Sequence, residues 1–361
     1  MTNNGEEYLI SDKIQDTVQC LKFFPSKDID ILASGGWDKK IRLFEIKYQI
    51  FNQQYYDNVQ IISNQLNESQ LQTPILSLAW KGNSGSIIAG CTDGSINYID
   101  LQKNIVNKVG QHKAGCREVL YHDNYGIIMS GGWDGALHLW DLRSQNPVCT
   151  YQFHNKIYTM SYSKELLVLG LSELLTSYFN LEYLKHNQFQ PEIICNSHLK
   201  EQTRKVAAFN EGNGYIQGSI EGRVAVKYIP NIYGIPSINK ETNTMQTEKD
   251  FSFKCHRELK NGLIQVYPIN DICVNPVYGS VCTVAGDGKY CIWDLIDRSR
   301  LYERKNIPDN CPLTACDFNK EGNFIAFASG YDWSKGMNFA QNYSRPKIFM
   351  HYLQKSQRKK T

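Results

Sequence analysis

No run of about 18 apolar residues occurs in the 361-residue chain, so no segment reads as a membrane-spanning helix. The opening MTNNGEEYLI has no basic flank leading into an apolar stretch, and a soluble, intracellular protein with no membrane partner is expected. Charge is nearly balanced: 39 Lys and Arg against 36 Asp and Glu leave a net +3. That field is too weak to argue for nucleic-acid binding by the whole surface, so any RNA contact must be local. The eight histidines form no H-E-x-x-H, and neither G-x-S-x-G nor the phosphate-cradling G-x-x-x-x-G-K-[ST] occurs. Gly212, Gly214 and Gly218 approximate G-x-G with a third glycine, but they precede a strand instead of opening a helix. The eleven cysteines include no C-x-x-C pair, and Cys20, Cys273 and Cys316 sit in apolar strand-like runs, which reads as reduced core thiols. An enzyme, a cofactor or a bound metal is therefore not expected.

What is present is a repeated hairpin. Residues 127–142, IIMSGGWDGALHLWDL, hold a short apolar run, a Gly-Gly-Trp-Asp-Gly turn able to take positive φ, and an alternating second run ending in an aromatic. An acidic turn residue after a short apolar run recurs seven times, at Asp38, Asp93, Asp134, Glu173, Glu221, Asp287 and Asp332. Six or seven residues beyond come Phe44, Ile99, Trp140, Phe179, Tyr228 and Trp293, while the seventh unit reaches Phe349 only after an insertion. The Trp-Asp pairs at 140–141 and 293–294 resemble the WD-repeat signature, one propeller blade of four strands every ~40–45 residues. The fold class predicted is all-β, a seven-bladed WD-repeat β-propeller forming a single domain over residues 1–353, because a ring of blades escapes the size ceiling of a single core.

Taken in order, residues 18–46 supply three strands of blade one, and residues 8–10 are expected to close the ring by pairing into the last blade. Residues 47–73 hold one outer strand and an excess loop. Blades two to seven follow at 75–101, 127–151, 158–182, 206–229, then up to 295 and 353. Blade four lacks a glycine in its turn and rests on apolar alternation alone. Residues 230–250 read as a surface loop, and 354–361 as a solvated basic tail. Each turn carboxylate is read as accepting hydrogen bonds in or next to its own turn, in preference to ligating a metal.

GSIEGRVAVKYI (218–229), FSFKCHR (251–257) and ASGYDWSKGMNF (328–339) resemble the WD-repeat mRNA export factors of the nuclear pore and their paralogue, the spindle-checkpoint WD-repeat protein. The resemblance covers nearly the whole chain, including SGGWD in blades one and three, WDLRSQNP and YPINDICVNP. YDWSKGMNFAQNYSRPKIFM is similar to the export factor, whereas VYPIN at 266–270 leans to the checkpoint relative. The resemblance implies a scaffold in the nucleus, at the nuclear pore rim and shuttling to the cytoplasm, that docks an acidic GLEBS segment of a nucleoporin on its top face and takes part in mRNA export. The checkpoint alternative implies GLEBS segments of checkpoint kinases at kinetochores, among mitotic spindle proteins. A remote alternative rests on WDLR at 140–143, which resembles the box by which some propellers dock as substrate receptors of cullin-type ubiquitin ligases.

The same resemblance names residues. Trp37 and Trp133 sit in top-face turns where core packing explains an indole poorly, and large aromatics with Arg anchor interfaces. Arg223, just past Glu221, and Arg257 are implied to pair with partner glutamates; the alternative is an internal Arg223–Glu221 pair. A substitution at Lys227, further along the same strand, is expected to leave partner binding and rim localisation alone. A side groove of Phe253, Trp293, Asp294 and Arg298 is implied to meet single-stranded RNA or mRNP. Leu295 stands there where the family carries Lys, and Trp293 is equally the repeat's packing Trp.

Overall fold

The computed structural model describes residues 7–50, 59–186, 189, 191, 193–229, 249–304 and 311–358. Within them the chain forms seven four-stranded antiparallel sheets and one separate two-stranded hairpin. In the first six blades consecutive strands are neighbours, and the seventh departs from this only by taking its outermost strand from the start of the chain. The innermost strands pack in a circle, and Leu313–Phe318 of blade seven meets Val18–Phe23 of blade one to close the ring. Tyr8–Ser11 adds to Lys347–Tyr352 as the outermost strand of blade seven, with Tyr8 opposite Met350. Both ends of the chain thus share one sheet, which covers an edge that would otherwise invite association. Among the described residues the only helices are two 3-10 segments and one α-helical turn.

The core lies between blades. Strands such as Leu166–Leu171 and Phe324–Ser329 are buried on both faces, and the apolar clusters pair one blade's residues with those of the next. In blade three the turn acid, a histidine, a hydroxyl and the Trp form one chain. His112 Nδ1 lies 3.0 Å from Asp134, His112 Nε2 is 2.8 Å from Ser130 Oγ, and Trp140 Nε1 donates to that oxygen at 2.8 Å. Blade six repeats it with Asp287, His256, Thr283 and Trp293. The turn acids serve their own turns as expected: Asp93, Asp134 and Asp287 each accept the backbone N–H two residues on.

Four local expectations are corrected or extended. In blade five the place of Trp140 is taken by Lys227, not by Tyr228, because Tyr215 faces Lys227 as Ile128 faces Trp140. The blade-four turn manages without glycine by placing Glu173 and Leu174 themselves at φ 60°. In blade one the third strand runs on to Ile50 and the fourth, Val59–Gln70, pairs along its whole length, with 51–58 outside the described residues. The tail is not simply solvated: Lys355–Arg358 is a helical turn, Gln357 is buried, and Arg358 donates to the Leu353 carbonyl. The expected surface loop at 230–250 lies outside the described residues except for its last two.

Candidate functional site

Every innermost strand carries a β-bulge at the same level. The register shifts between Val18 and Cys20, Ile75 and Ser77, Cys116 and Glu118, Ile157 and Thr159, Thr203 and Lys205, Ile269 and Asp271, and Leu313 and Ala315. A bulge leaves one residue out of the ladder and re-aims its side chain. Of the residues so released, Gln19, Arg117, Arg204, Asn270 and Thr314 line one cavity of about 580 Å³. Thr17, Trp37, Asp332 and Trp333 complete its wall. The mouth of the ring is thus built from seven equivalent irregularities, five of which supply polar or charged groups.

Its charge is positive. Arg204 makes no ion pair or hydrogen bond among the described residues; burial and the neighbouring Arg117 pull its pKa down, against the pull of Asp332. Arg117 reaches the Leu76 carbonyl at 3.3 Å and lies 3.9 Å from Glu118. Asp332 is the one acid of the lining among the described residues, and it already accepts from the Ser334 backbone and from Asn270. The two indoles differ in support. Trp37 is 38% exposed and donates to Gln19 at 3.3 Å, while Trp333 is 45% exposed and held at φ 60°. Arg204, Arg117 and Trp333 escaped the sequence reading, since an arginine in an alternating strand looks merely outward-facing. The signal that could have found the two arginines is positional, the residue some 15–19 places before each turn acid, while Trp333 directly follows the turn acid Asp332.

The predicted docking residues do not all meet. Trp37 lines the mouth, but Trp133 lays its ring over Gly115, where an added Cβ would come within 2.7 Å of it, so packing does explain that indole. Glu221, Arg223 and Arg257 form a separate cluster on blade five. Arg223 Nε is 3.4 Å from Glu221 Oε1, and Arg257 Nη2 donates to the Glu221 carbonyl at 2.9 Å. The internal pair considered above is therefore present. It is not aligned as a hydrogen bond: Arg223 Nε, Glu221 Oε1 and Arg257 Nε have no hydrogen-bond partner among the described residues.

Arg257 also begins a hairpin that the sequence reading did not foresee. Arg257–Lys260 pairs with Leu263–Val266 around Asn261-Gly262, both at positive φ, the turn pair that best matches strand twist. It holds Leu259, Leu263 and Ile264 at about 70% exposure, an unusual expense of apolar surface.

The four side-groove residues do come together. Phe253, Trp293, Asp294 and Arg298 line a cavity of about 310 Å³ with Phe251, Lys254 and Leu295. Phe253 and Trp293 have ring centroids 4.7 Å apart, and the Arg298 guanidinium sits 4.5 Å over Phe251. Asp294 is buried and accepts from the backbones of Ile296 and Asp297, so it shapes the turn. Trp293 is only half-buried: its N–H belongs to the core chain with Thr283 while its ring meets the groove.

The description "WD domain, G-beta repeat" matches residues 10–45 and 103–141. Over 348 residues the chain is 30% identical to the Caenorhabditis elegans protein named mRNA export factor rae-1, covering 93% of this chain and 85% of the relative. It is 31% identical to the Schizosaccharomyces pombe Poly(A)+ RNA export protein, covering 93% and 88%. It is also 27% identical to the Dictyostelium discoideum mitotic checkpoint protein bub3, covering 94% and 92%.

Proposed function

The chain belongs to the family of WD-repeat mRNA export factors, and from that premise we propose that it is a non-enzymatic docking propeller that takes part in mRNA export by holding an acidic GLEBS segment of a nucleoporin across its top face. The observation that carries this reading is the mouth of the ring, where Arg204 and Arg117 are turned into one cavity between the exposed indoles of Trp37 and Trp333. A half-buried guanidinium that makes no ion pair or hydrogen bond among the described residues, with Asp332 acting on it only at a distance, favours a carboxylate that arrives with the ligand, and the flanking aromatics give its apolar residues somewhere to bury. Arg223 and Arg257 extend the same preference outward over blade five. The exposed hairpin beside Arg257 supplies further apolar contact.

In this reading the protein resides in the nucleus, at the pore rim, and shuttles to the cytoplasm. The side groove of Phe253, Trp293 and Arg298 offers stacking faces beside a guanidinium and a lysine, the chemistry that holds unpaired bases, and serves single-stranded RNA of an mRNP. Asp294 positions that groove's turn.

A second reading is favoured by residues 266–270, VYPIN, and by the checkpoint relative: the same top face would take GLEBS segments of checkpoint kinases. One experiment addresses both. Affinity capture from interphase and mitotic extracts with the parent protein and Arg204→Glu should recover a GLEBS nucleoporin with the parent only. Recovery of that nucleoporin by both proteins would refute the mouth as its site, and recovery of kinases alone would favour the second reading.

A further inference from the structure

Three cysteines at the junction of blades six and seven converge on one point. Cys273 lies on the innermost strand of blade six, Ile269–Val274, and faces Cys282 on the next strand, Val281–Ala285. Cys316 comes from the innermost strand of blade seven, Leu313–Phe318. The three sulfurs all lie within 4.8 Å of one another, and those of Cys273 and Cys316 are 3.3 Å apart. All three side chains are buried, packed among Val284, Ile292, Phe318 and Phe327.

Core packing alone does not require thiols here. The facing pair that corresponds to Cys273 and Cys282 is Ala79 and Ile88 in blade two, Leu120 and Met129 in blade three, and Ala207 and Ile216 in blade five. Metal geometry does suit the triangle: three thiolates at ~2.3 Å from a shared ion stand ~4 Å apart, between the shortest separation and the outer limit found here. Zinc sites of the structural kind need a fourth ligand, and among the described residues the cluster offers three, all sulfur. That donor set selects soft cations. We propose that Cys273, Cys282 and Cys316 form a trigonal thiolate site for one soft, thiophilic cation, of the Cu(I) or Cd(II) class, which clamps blade six to blade seven.

Loading displaces three protons, one from each thiol, and three metal–sulfur bonds form without any change of oxidation state. Burial pushes all three thiols well above their ordinary range, so the unloaded cluster is neutral and metal uptake should tighten as pH rises. A divalent ion with three thiolates leaves one negative charge. The ammonium of Lys22, kept protonated by Asp317, Asp271 and Glu118, lies close enough to Cys273 to feel it.

Because the cluster is enclosed, the test loads metal during folding. The full chain, reduced and unfolded, is refolded with Cd(II) or with Mg(II) and desalted. One Cd(II) per chain should remain, with a thiolate-to-metal absorption band and a melting temperature several degrees above that of the Mg(II) sample. Cys316→Ala and Cys282→Ala, checked for strand content by circular dichroism, should each lose the band, and Cys149→Ala should keep it. If either of the first two variants folds poorly, the other carries the test. Absence of the band in the parent, or its persistence at full strength in the folded Cys316→Ala or Cys282→Ala protein, overturns the site.

Discussion

The ammonium of Lys227 lies 2.5 Å from a carboxylate oxygen of Asp250, in the position where blade three buries the indole of Trp140. The same ammonium donates to His198 Nε2 at 2.7 Å, and the other Asp250 oxygen accepts from the Tyr228 backbone. A blade is therefore held by a buried ion pair where its neighbours use aromatic packing. Removing one partner of such a pair strands the other and costs ~3–5 kcal/mol. Lys227→Ala and Asp250→Ala should each lose about that much in denaturant unfolding, and the double variant much less than their sum. Additive losses would mean that the two residues act independently.

Trp140→Ala removes a nearly fully buried ring and leaves Ser130 without its donor. Trp-to-Ala changes in cores cost ~3–5 kcal/mol. Gly110 approaches the ring so closely that a Cβ there would overlap it, so the neighbouring strand has been shaped around the indole and collapses poorly onto a cavity. An unchanged melting temperature would contradict this packing.

Burial, with the adjacent His112, holds the pKa of His138 down at about 4, against an ordinary 6.5. The unfolded chain then binds a proton on this ring at a pH where the folded chain does not. The contribution is fully present above about pH 6.5 and is lost as pH falls through about 4. Allowing for solvent around the half-exposed ring, ~1–2 kcal/mol is involved. His138→Gln should flatten the stability curve over that window, leaving the share due to His112, whose pKa is also lowered. An unaltered slope would exclude His138 as a source.

The residues that made the fold legible are those whose partners are near in sequence. Asp134, six residues before Trp140, marks a hairpin whose chemistry is all local, and the same spacing found blades one, two, four and six. It misassigned blade five because a lysine in the buried position breaks apolar counting, and its partner Asp250 is 23 residues away. The hairpin at 257–266 was signalled by Asn261-Gly262 between apolar flanks and was overlooked beside the stronger repeat. The mouth was not legible: a bulge changes which side chain faces the channel without changing composition, so Arg117 and Arg204 looked like ordinary outward residues of Cys116–His122 and Thr203–Ala208.

Phe253 separates binding from architecture in the side groove. Its ring faces Trp293 and Phe251 but takes no part in the blade-six hydrogen-bond chain. Stacking of a base on an aromatic is worth ~1–3 kcal/mol. Phe253→Ala should weaken binding of a single-stranded oligoribonucleotide roughly 5- to 150-fold in a fluorescence anisotropy titration, with circular dichroism unchanged. Equal affinity would remove the groove from the RNA reading.

Arg204 and Arg223 offer a test of how the top face recognises acid. Arg204 stands in the mouth with no ion pair among the described residues, only the more distant pull of Asp332, whereas Arg223 already has Glu221 at 3.4 Å. Replacing either by Glu turns attraction into repulsion, and a partly desolvated contact of this kind is worth ~2–5 kcal/mol. Both variants should bind a Glu-containing segment at least tenfold more weakly, since ~1.4 kcal/mol is one decade. The two alanine variants should differ. Arg204→Ala removes an arginine that makes no ion pair among the described residues and should cost affinity in full. Arg223→Ala also frees Glu221 to repel the incoming carboxylates, so its loss should shrink when Glu221→Gln is added, while the loss from Arg204→Ala stays the same. Isothermal titration of the folded variants measures each term. If Arg204→Glu and Arg223→Glu both keep parental affinity, the acidic segment docks elsewhere and the two arginines are structural; if only Arg223 responds, docking is confined to blade five and the mouth is not used.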